Sequence, residues 1–217
     1  MTTSLPSPAV LWDLDGTLVD SAADIASAID HTLAARGLAP IGLARVRDFI
    51  GDGARYLVER CWAAAGGTAG PDDVAAFLAY YAEHLVDTTH LHPPDIVELL
   101  ARVDAPQAVV TNKPEANARR VLETLGLTPY FPVVIGGDTL PTRKPDPAML
   151  HEALQRLGAT RGVLVGDGPA DVGAARAAGM WMIGVDWGIG QPVGADVRVG
   201  TVQALRAALA AAGVAGC

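Results

Sequence analysis

Six short apolar segments, separated by stretches of helical periodicity, constrain the fold of this chain more than any other feature. The segments are AVLWDL (9–14), QAVVT (107–111), VVIGG (133–137), GVLVGD (162–167), WMIGVD (181–186) and ADVRV (195–199). Several are nearly continuous in valine, isoleucine and leucine, which is typical of strands covered on both faces of a parallel sheet. We therefore expect an α/β fold with a doubly wound, mainly parallel sheet.

The stretches between these segments predict helices with defined ends. Pro114 precedes apolar residues at helical spacing that stop before Gly126, and Pro147 precedes a second such pattern that stops before Gly158. Proline at the start of a helix and glycine just past its end is the usual arrangement. Strands that alternate with helices of this length indicate βαβ units and a Rossmann-like core.

Residues 21–87 show no strand pattern and predict an all-helical insert after the first strand. Ser21 and Asp24 form an S-x-x-D helix start, and a later stripe from Val74 to Leu85 has helical spacing. We expect a helical cap domain at 21–87 and a core formed by 1–20 and 88–217. The expected hinges are residues 16–20 and 87–95.

Polar side chains follow several of the predicted strands. Because ligands of open α/β sheets bind at the carboxyl ends of the strands, we expect these side chains to converge there. Taken singly, each motif is an ordinary turn or helix start. Their occurrence at successive strand ends favours a functional site. The residues concerned are Asp13, Asp15, Thr111, Asn112, Lys144, Asp167 and Asp171.

The chemistry of this set indicates a divalent cation and a phosphate group. Several carboxylates at one edge repel one another unless a cation lies between them, and oxygen ligands suit Mg²⁺. Lys144 would add positive charge for a phosphate, and Thr111 and Asn112 would add neutral donors. One aspartate could then attack phosphorus and form an aspartyl-phosphate. The histidines and cysteines are scattered and form no zinc pattern.

Charge and composition exclude several other classes of function. The formal net charge is −8 with no block of basic residues, which argues against binding of nucleic acid but not of a small anionic substrate. Cys61 and Cys217 are too few for a disulfide framework, so a reducing cytoplasm is expected. Neither a signal peptide nor an apolar run of about 18 residues is evident, so no membrane association is expected. Oligomeric state stays open between monomer and homodimer.

Four motifs together resemble those of the haloacid dehalogenase superfamily of phosphatases. They are DLDGTLVDS, VVTNKP, GGDTLPTRKPDP and GDGPADVGAARAAG, and the resemblance covers nearly the whole chain. Within the superfamily, FIGDGARYLVER (49–60) and VVIGGDTLPTRKPDP (133–147) are similar to the phosphoglycolate phosphatase branch. The resemblance therefore implies hydrolysis of 2-phosphoglycolate, with Mg²⁺ as cofactor.

The same resemblance implies a role for each site residue. Asp13 would be the nucleophile and Asp15 the general acid and base. Thr111, Asn112 and Lys144 would hold the phosphoryl group, and Lys144 would also neutralise the nucleophile. The metal would bind the carboxylates of Asp13 and Asp167 and the backbone carbonyl of Asp15, with Asp171 in support.

The chain departs from the family pattern at two places. Gly168 stands where serine or threonine usually follows the first aspartate of the fourth motif, for which we expect reduced metal affinity. LHPPDI stands where the chain returns from the cap and a Pro-Gly form is usual.

The loop GDGAR (51–55) is the expected source of substrate specificity. Gly51 and Gly53 would let it enter the site when the cap closes, and Arg55 would contact an anionic leaving group; the alternative is an ordinary turn between helices. Other functions stay open at this point: a phosphatase of sugar-acid or amino-sugar-acid phosphates, nucleotides or pyrophosphate, or a sugar phosphomutase. Asp15 argues against a dehalogenase. A catalytically silent binding protein would be expected to lack part of the motif set, and none of Asp13, Asp15, Lys144 and Asp167 is missing.

Overall fold

A computed structural model describes residues 7–217 of the chain. It shows a main sheet flanked by helices. The strands of that range are β1 (Ala9–Trp12), β2 (Val19–Asp20), β3 (His90–Leu91), β4 (Gln107–Val110), β5 (Val133–Ile135), β6 (Gly162–Gly166), β7 (Trp181–Val185) and β8 (Val197–Val199). Its α-helices are α1 (Ala22–Ala35), α2 (Leu43–Arg47), α3 (Ala54–Ala64), α4 (Pro71–Glu83), α5 (Ile96–Leu100), α6 (Glu115–Thr124), α7 (Ala148–Leu157), α8 (Pro169–Ala178) and α9 (Val202–Ala211).

The main sheet is parallel throughout and has the order β5-β4-β1-β6-β7-β8. β1 lies in its interior, where Trp12 is in register with Val109 of β4 and with Val165 of β6. The strand is wholly buried, which explains its continuous apolar sequence. The predicted fold class is confirmed.

Helices cover both faces of the sheet. Leu11 and Leu164 pack with α7 and α8 on one face, while Val10 and Trp12 pack with α5, α6 and α9 on the other. Alternate residues of β1 therefore belong to opposite halves of the core, as the period of two in a strand requires.

The strands end earlier than the sequence predicts, because their last predicted residues turn away to form the site. The predicted strand 133–137 ends at Ile135, and Gly136 and Gly137 follow outside it. A Cβ on Gly136 would lie 2.3 Å from the backbone N of Glu115, and one on Gly137 would lie 2.3 Å from the carbonyl O of Asn112. These two glycines allow the segment that follows β5 to lie close to the segment that follows β4.

Helices α1 to α4 occupy the segment between β2 and β3, where the sequence predicts an all-helical insert. β2 and β3 pair antiparallel, with Val19 opposite Leu91 and Asp20 opposite His90. The chain therefore leaves the sheet region and returns to it at adjacent points. The division into domains at 1–20, 21–87 and 88–217 stays a prediction.

The helix start predicted from Ser21 and Asp24 is confirmed as the start of α1, but the capping hydrogen bonds of that pattern do not form. Ser21 is the N-cap of α1 but makes no capping hydrogen bond, and its hydroxyl donates to Asp15 Oδ1 instead. Asp24 accepts hydrogen bonds from the backbone N–H and the hydroxyl of both Thr88 and Thr89, next to β3. The tertiary contacts of both side chains replace the local ones.

The helices predicted after Pro114 and Pro147 are confirmed as α6 and α7. Gly158 ends α7 in the left-handed conformation, with φ of 66°. Within residues 7–217, we find no helix that combines the length and the apolar character needed for a membrane crossing.

Candidate active site

The carboxyl ends of β1, β4 and β6 bring the predicted site residues together. Asp13 directly follows β1, Thr111 directly follows β4, and Asp167 directly follows β6. Asp13 is held in place by its backbone N–H, which donates to Val165 O at 2.9 Å. The convergence of these strand ends is the geometry expected for neighbouring parallel strands.

Lys144 lies buried between two of the aspartates. Its Nζ lies 2.9 Å from Asp13 Oδ1 and 2.6 Å from Asp171 Oδ1, and it donates to Val110 O at 2.8 Å. Burial alone would lower the pKa of Lys144, but Asp13 and Asp171 outweigh it and hold the pKa above its usual value. The ammonium group is therefore charged, and its three N–H groups all have acceptors.

Three carboxylates form an acidic cluster around this lysine. Asp13, Asp167 and Asp171 each offer an oxygen, and these oxygens lie within 4.8 Å of one another. Burial, followed by the charges of Asp171 and Asp167, raises the pKa of Asp13 to about 8 against the opposing effect of Lys144. Burial and Asp171 raise the pKa of Asp167 to about 6. One lysine is therefore too little positive charge for the cluster.

The backbone around Asp167 is shaped to hold its carboxylate in one position. Asp167 Oδ2 accepts hydrogen bonds from the backbone N–H groups of Ile189 and Gly190, at 2.8 and 2.7 Å. A Cβ on either Gly16 or Gly188 would lie 2.3 Å from an atom of the Asp167 side chain. Only glycine at these two positions leaves room for the carboxylate.

Asp171 faces Lys144 and the start of its own helix. One of its oxygens binds Lys144, and Oδ2 accepts the backbone N–H of Gly168 at 3.0 Å. Gly168 is the N-cap of α8 and has no side chain to cap the helix. Both oxygens of Asp171 are therefore already engaged.

Lys113 is a site residue that the sequence analysis missed. Its Nζ donates to Asp15 Oδ1 and Oδ2, at 2.9 and 3.0 Å, and to the Tyr81 hydroxyl at 2.7 Å. Burial lowers the pKa of Lys113, but Asp15 and Tyr81 outweigh it and raise the pKa above its usual value. Its side chain is 3% exposed. The available signal was a lysine directly after Thr111 and Asn112, at a strand end of the same edge.

The amide of Asn112 holds two backbone segments rather than standing free. Its Nδ2 donates to Gly51 O at 2.9 Å and to Lys144 O at 3.0 Å. Its buried Oδ1 has no hydrogen-bond partner among the described residues. The side chain thereby fastens the Gly51 loop and the Lys144 loop to the end of β4.

Two cavities meet at Asp13 and Asp15. The inner cavity has a volume of about 60 Å³. It is lined by Asp13, Asp15, Ile25, Ile50, Gly51, Gly53, Ala54, Leu57, Phe77, Leu78, Tyr81, Thr111, Asn112, Lys113 and Pro114. The outer cavity, of about 410 Å³, lies on the side of Lys144, Asp167 and Asp171. Gly51 of the predicted specificity loop lines both cavities, and Gly53 lines the inner one.

The structure does not bring Arg55 to the inner cavity, contrary to what the sequence suggests. Arg55 lies in the first turn of α3, and its Nε pairs with Glu59 Oε1 at 2.7 Å on an exposed face. The i, i+4 spacing on one helix explains this pairing.

Comparison with known proteins agrees with the motif pattern. The family model described as haloacid dehalogenase-like hydrolase matches residues 10–185. A phosphoglycolate phosphatase of Pseudomonas putida is 38% identical over 211 residues, which cover 92% of this chain and 78% of that protein. A phosphoglycolate phosphatase of Rhodobacter capsulatus is 42% identical over 180 residues, which cover 80% of this chain and 82% of that protein.

Solved structures show the same architecture. One described as a "predicted phosphoglycolate phosphatase" from Haemophilus somnus has a TM-score of 0.84 and 28% identity, and the match covers 95% of this chain and 99% of that one. CbbY from Rhodobacter sphaeroides, in complex with phosphate, has a TM-score of 0.76 at 23% identity, with 90% and 94% of the two chains covered. At that identity the second likeness concerns the fold alone.

Proposed function

We propose that this chain hydrolyses 2-phosphoglycolate to glycolate and phosphate. The premise is that it belongs to the haloacid dehalogenase-like hydrolase family and is a phosphatase. The observation that carries this proposal is the pair of carboxylates, Asp13 and Asp15, at the junction of the two cavities. Each carboxylate has its own buried lysine, since Lys144 pairs with Asp13 and Lys113 with Asp15. The two acids therefore lie at one site with separate counter-charges.

In the first step, a carboxylate oxygen of Asp13 attacks phosphorus. The bond between phosphorus and the ester oxygen breaks, and Asp15 gives a proton to the departing alcohol oxygen. In the second step, Asp15 takes a proton from water, whose oxygen attacks the same phosphorus. The phosphoryl group then leaves Asp13 as phosphate, and both carboxylates return to their starting state.

Thr111, Asn112 and Lys144 hold the phosphoryl group in this proposal. Lys144 supplies positive charge beside Asp13, and the hydroxyl of Thr111 supplies a neutral donor at the end of β4. The side-chain N–H groups of Asn112 already bind Gly51 O and Lys144 O, so its contribution to the phosphoryl group would come from its backbone N–H.

The acidic cluster fits Mg²⁺. Its donors are all carboxylate oxygens that lie close together, and ligands of this kind suit Mg²⁺. Asp13 and Asp167 would hold the ion together with the backbone carbonyl of Asp15, and Asp171 would support it through Lys144. When bound, Mg²⁺ supplies positive charge to the phosphoryl oxygens.

The size of the inner cavity supports a small leaving group. At about 60 Å³, the inner cavity is much smaller than the outer cavity of about 410 Å³. Glycolate is a two-carbon group, whereas a nucleoside is several times larger. The apolar walls from Leu57, Phe77 and Leu78 close the cavity on the side of the helical insert.

Phosphate release in the presence of Mg²⁺ from a panel of esters tests the proposal. The panel comprises 2-phosphoglycolate, sugar-acid phosphates, hexose phosphates, nucleotides and pyrophosphate, each with and without a sugar bisphosphate to reveal mutase activity. We expect a preference for 2-phosphoglycolate that is lost in Asp13→Asn and after chelation. A preference for another ester, with the same dependence on Asp13, would refute the substrate and retain the mechanism.

A further inference from the structure

The inner cavity contains a cation that the two-step reaction above does not use. Lys113 is the only lysine or arginine among the described residues that line this cavity. The acidic side chains there are those of Asp13 and Asp15. The remaining lining residues are apolar or neutral. A leaving group that enters this cavity therefore meets one positive charge, at Lys113.

We propose that the ammonium group of Lys113 binds a carboxylate on the leaving group, so that the enzyme favours phosphate esters of small alcohols that carry an acidic group. This inference rests on the proposed hydrolysis of 2-phosphoglycolate, whose leaving group is such an alcohol. It assigns the recognition of that acidic group to a residue of the core rather than to Arg55 of the helical insert.

Of the other cations near the site, Lys144 and Arg55 are committed elsewhere, and Arg143 lies beside Gly53 but does not line the inner cavity. The three N–H groups of Lys144 bind Asp13, Asp171 and the carbonyl of Val110. Arg55 pairs with Glu59 outside the cavity.

Two arginines line the outer cavity and are also paired. Arg47 pairs with Asp20 at 3.1 Å, and Arg60 pairs with Asp52 at 2.6 Å. Both arginines lie outside the inner cavity, on the side of Lys144, Asp167 and Asp171.

Electrostatics require a cation at this place for an acidic leaving group. A carboxylate in the inner cavity would lie beside Asp13 and Asp15, and like charges in a buried site repel strongly. Without a counter-charge, the cavity would reject 2-phosphoglycolate in favour of its uncharged analogues. The ammonium group of Lys113 reduces this penalty, because it is the one lysine or arginine charge among the described residues that line the cavity.

The contacts of Lys113 allow it to bind a second carboxylate while it keeps the first. Its ammonium group has three N–H donors. They bind the two carboxylate oxygens of Asp15 and the hydroxyl oxygen of Tyr81. A substrate carboxylate can replace one Asp15 oxygen, because a single N–H suffices to keep Lys113 on Asp15. Tyr81, from α4 of the insert, fixes the ammonium group from the opposite side.

The test compares 2-phosphoglycolate with 2-hydroxyethyl phosphate, which has a CH₂OH group in place of the carboxylate. The readout is the ratio of kcat/KM for the acid to kcat/KM for the uncharged ester, in wild type and in Lys113→Met. We expect the wild-type ratio to exceed about 10 and the variant ratio to be about 100-fold lower, as for loss of a hydrogen bond to a charged group. Lys113→Arg keeps the charge and is expected to recover part of the preference.

Arg55→Met is the matched control, since it also removes one positive charge and leaves the inner cavity intact. Its ratio is expected to equal that of the wild type. Equal loss for both esters in Lys113→Met would overturn the inference, because it would mean that Lys113 only supports Asp15. If the wild-type ratio of kcat/KM for the acid to kcat/KM for the uncharged ester were near 1, the inference would also be overturned. This result does not depend on the folding of any variant. Failure of the proposed function is a different result, in which the wild type does not hydrolyse 2-phosphoglycolate at all and the inference falls with it.

Discussion

The replacement of Asp24 by asparagine is expected to destabilise the protein by about 3 kcal/mol. Asp24 is 3% exposed and accepts four hydrogen bonds, two each from Thr88 and Thr89. Hydrogen bonds to a charged group contribute about 1.5–3 kcal/mol each. Asparagine keeps one carbonyl oxygen, but its NH₂ group would face donors, so about two of these bonds are lost. The loss should lower the midpoint of urea unfolding by about 1 M.

The pH dependence of this effect has a defined sign. Burial raises the pKa of Asp24, but the hydrogen bonds from Thr88 and Thr89 outweigh it and place the pKa below its ordinary value. The stabilisation is therefore complete above the unfolded pKa of about 3.9 and is lost as the pH falls through the lower folded value. The difference between wild type and Asp24→Asn should be full at pH 7 and shrink below about pH 4.

Asp72→Asn provides the matched control, because Asp72 lies in the first turn of α4 and is exposed. The same chemical change there should alter the free energy of unfolding by less than about 0.5 kcal/mol. If Asp24→Asn changed the unfolding midpoint no more than this control, the reasoning from its four contacts would be refuted.

Three further predictions follow from the acidic cluster and from two glycines. Without Mg²⁺, thermal stability should fall as the pH rises from about 4 to about 8. Folding raises the pKa of Asp13 to about 8, so in this range the native state holds a proton that the unfolded chain has released. Added Mg²⁺ should reduce this dependence on pH, and a flat metal-free profile would contradict the prediction. Gly137→Ala should cost about 1–3 kcal/mol in urea unfolding, because its Cβ would overlap the backbone of Asn112; an unchanged midpoint would show that the overlap relaxes freely. Gly168→Ser should be stable to within about 1 kcal/mol, because its Cβ would lie 3.6 Å from Asp171 Oδ2 and its hydroxyl could cap α8; a larger loss would mean that the site excludes a side chain there.

The position of the strand-end residues could be predicted because it depends only on hydropathy and on parallel pairing. Asp13, Thr111 and Asp167 each follow a buried apolar run, and parallel strands end at the same edge. No detail of side-chain packing is needed for that inference. The placement of these three residues at one edge therefore followed from the sequence, while their roles remain proposals.

The partners of individual side chains could not be predicted, because they depend on tertiary distances. Ser21 and Asp24 fit a local capping pattern worth about 1 kcal/mol. Instead, Ser21 binds Asp15, and Asp24 binds Thr88 and Thr89, which are more than 60 positions away. Lys113 lies 98 positions from Asp15 along the chain, and nothing local indicates that the two meet. Arg55 is close in sequence to Gly51 and Gly53, yet it pairs with Glu59 on an exposed face of the same helix.

The paired strands β2 and β3 have a consequence for how such a protein can evolve. Helices α1 to α4 begin after β2 and end before β3, and these two paired strands lie about 4.8 Å apart. The helices can therefore be accommodated without a change in the main sheet, at whose edge Asp13 lies. A segment with adjacent ends can be lengthened, shortened or exchanged by recombination while the rest of the chain keeps its architecture. Leu57 and Phe77 of the inner cavity lie in α3 and α4 of this segment, whereas Thr111 and Lys113 follow β4 of the main sheet. Selection can therefore alter the walls of the inner cavity separately from the residues that follow the strands of the main sheet.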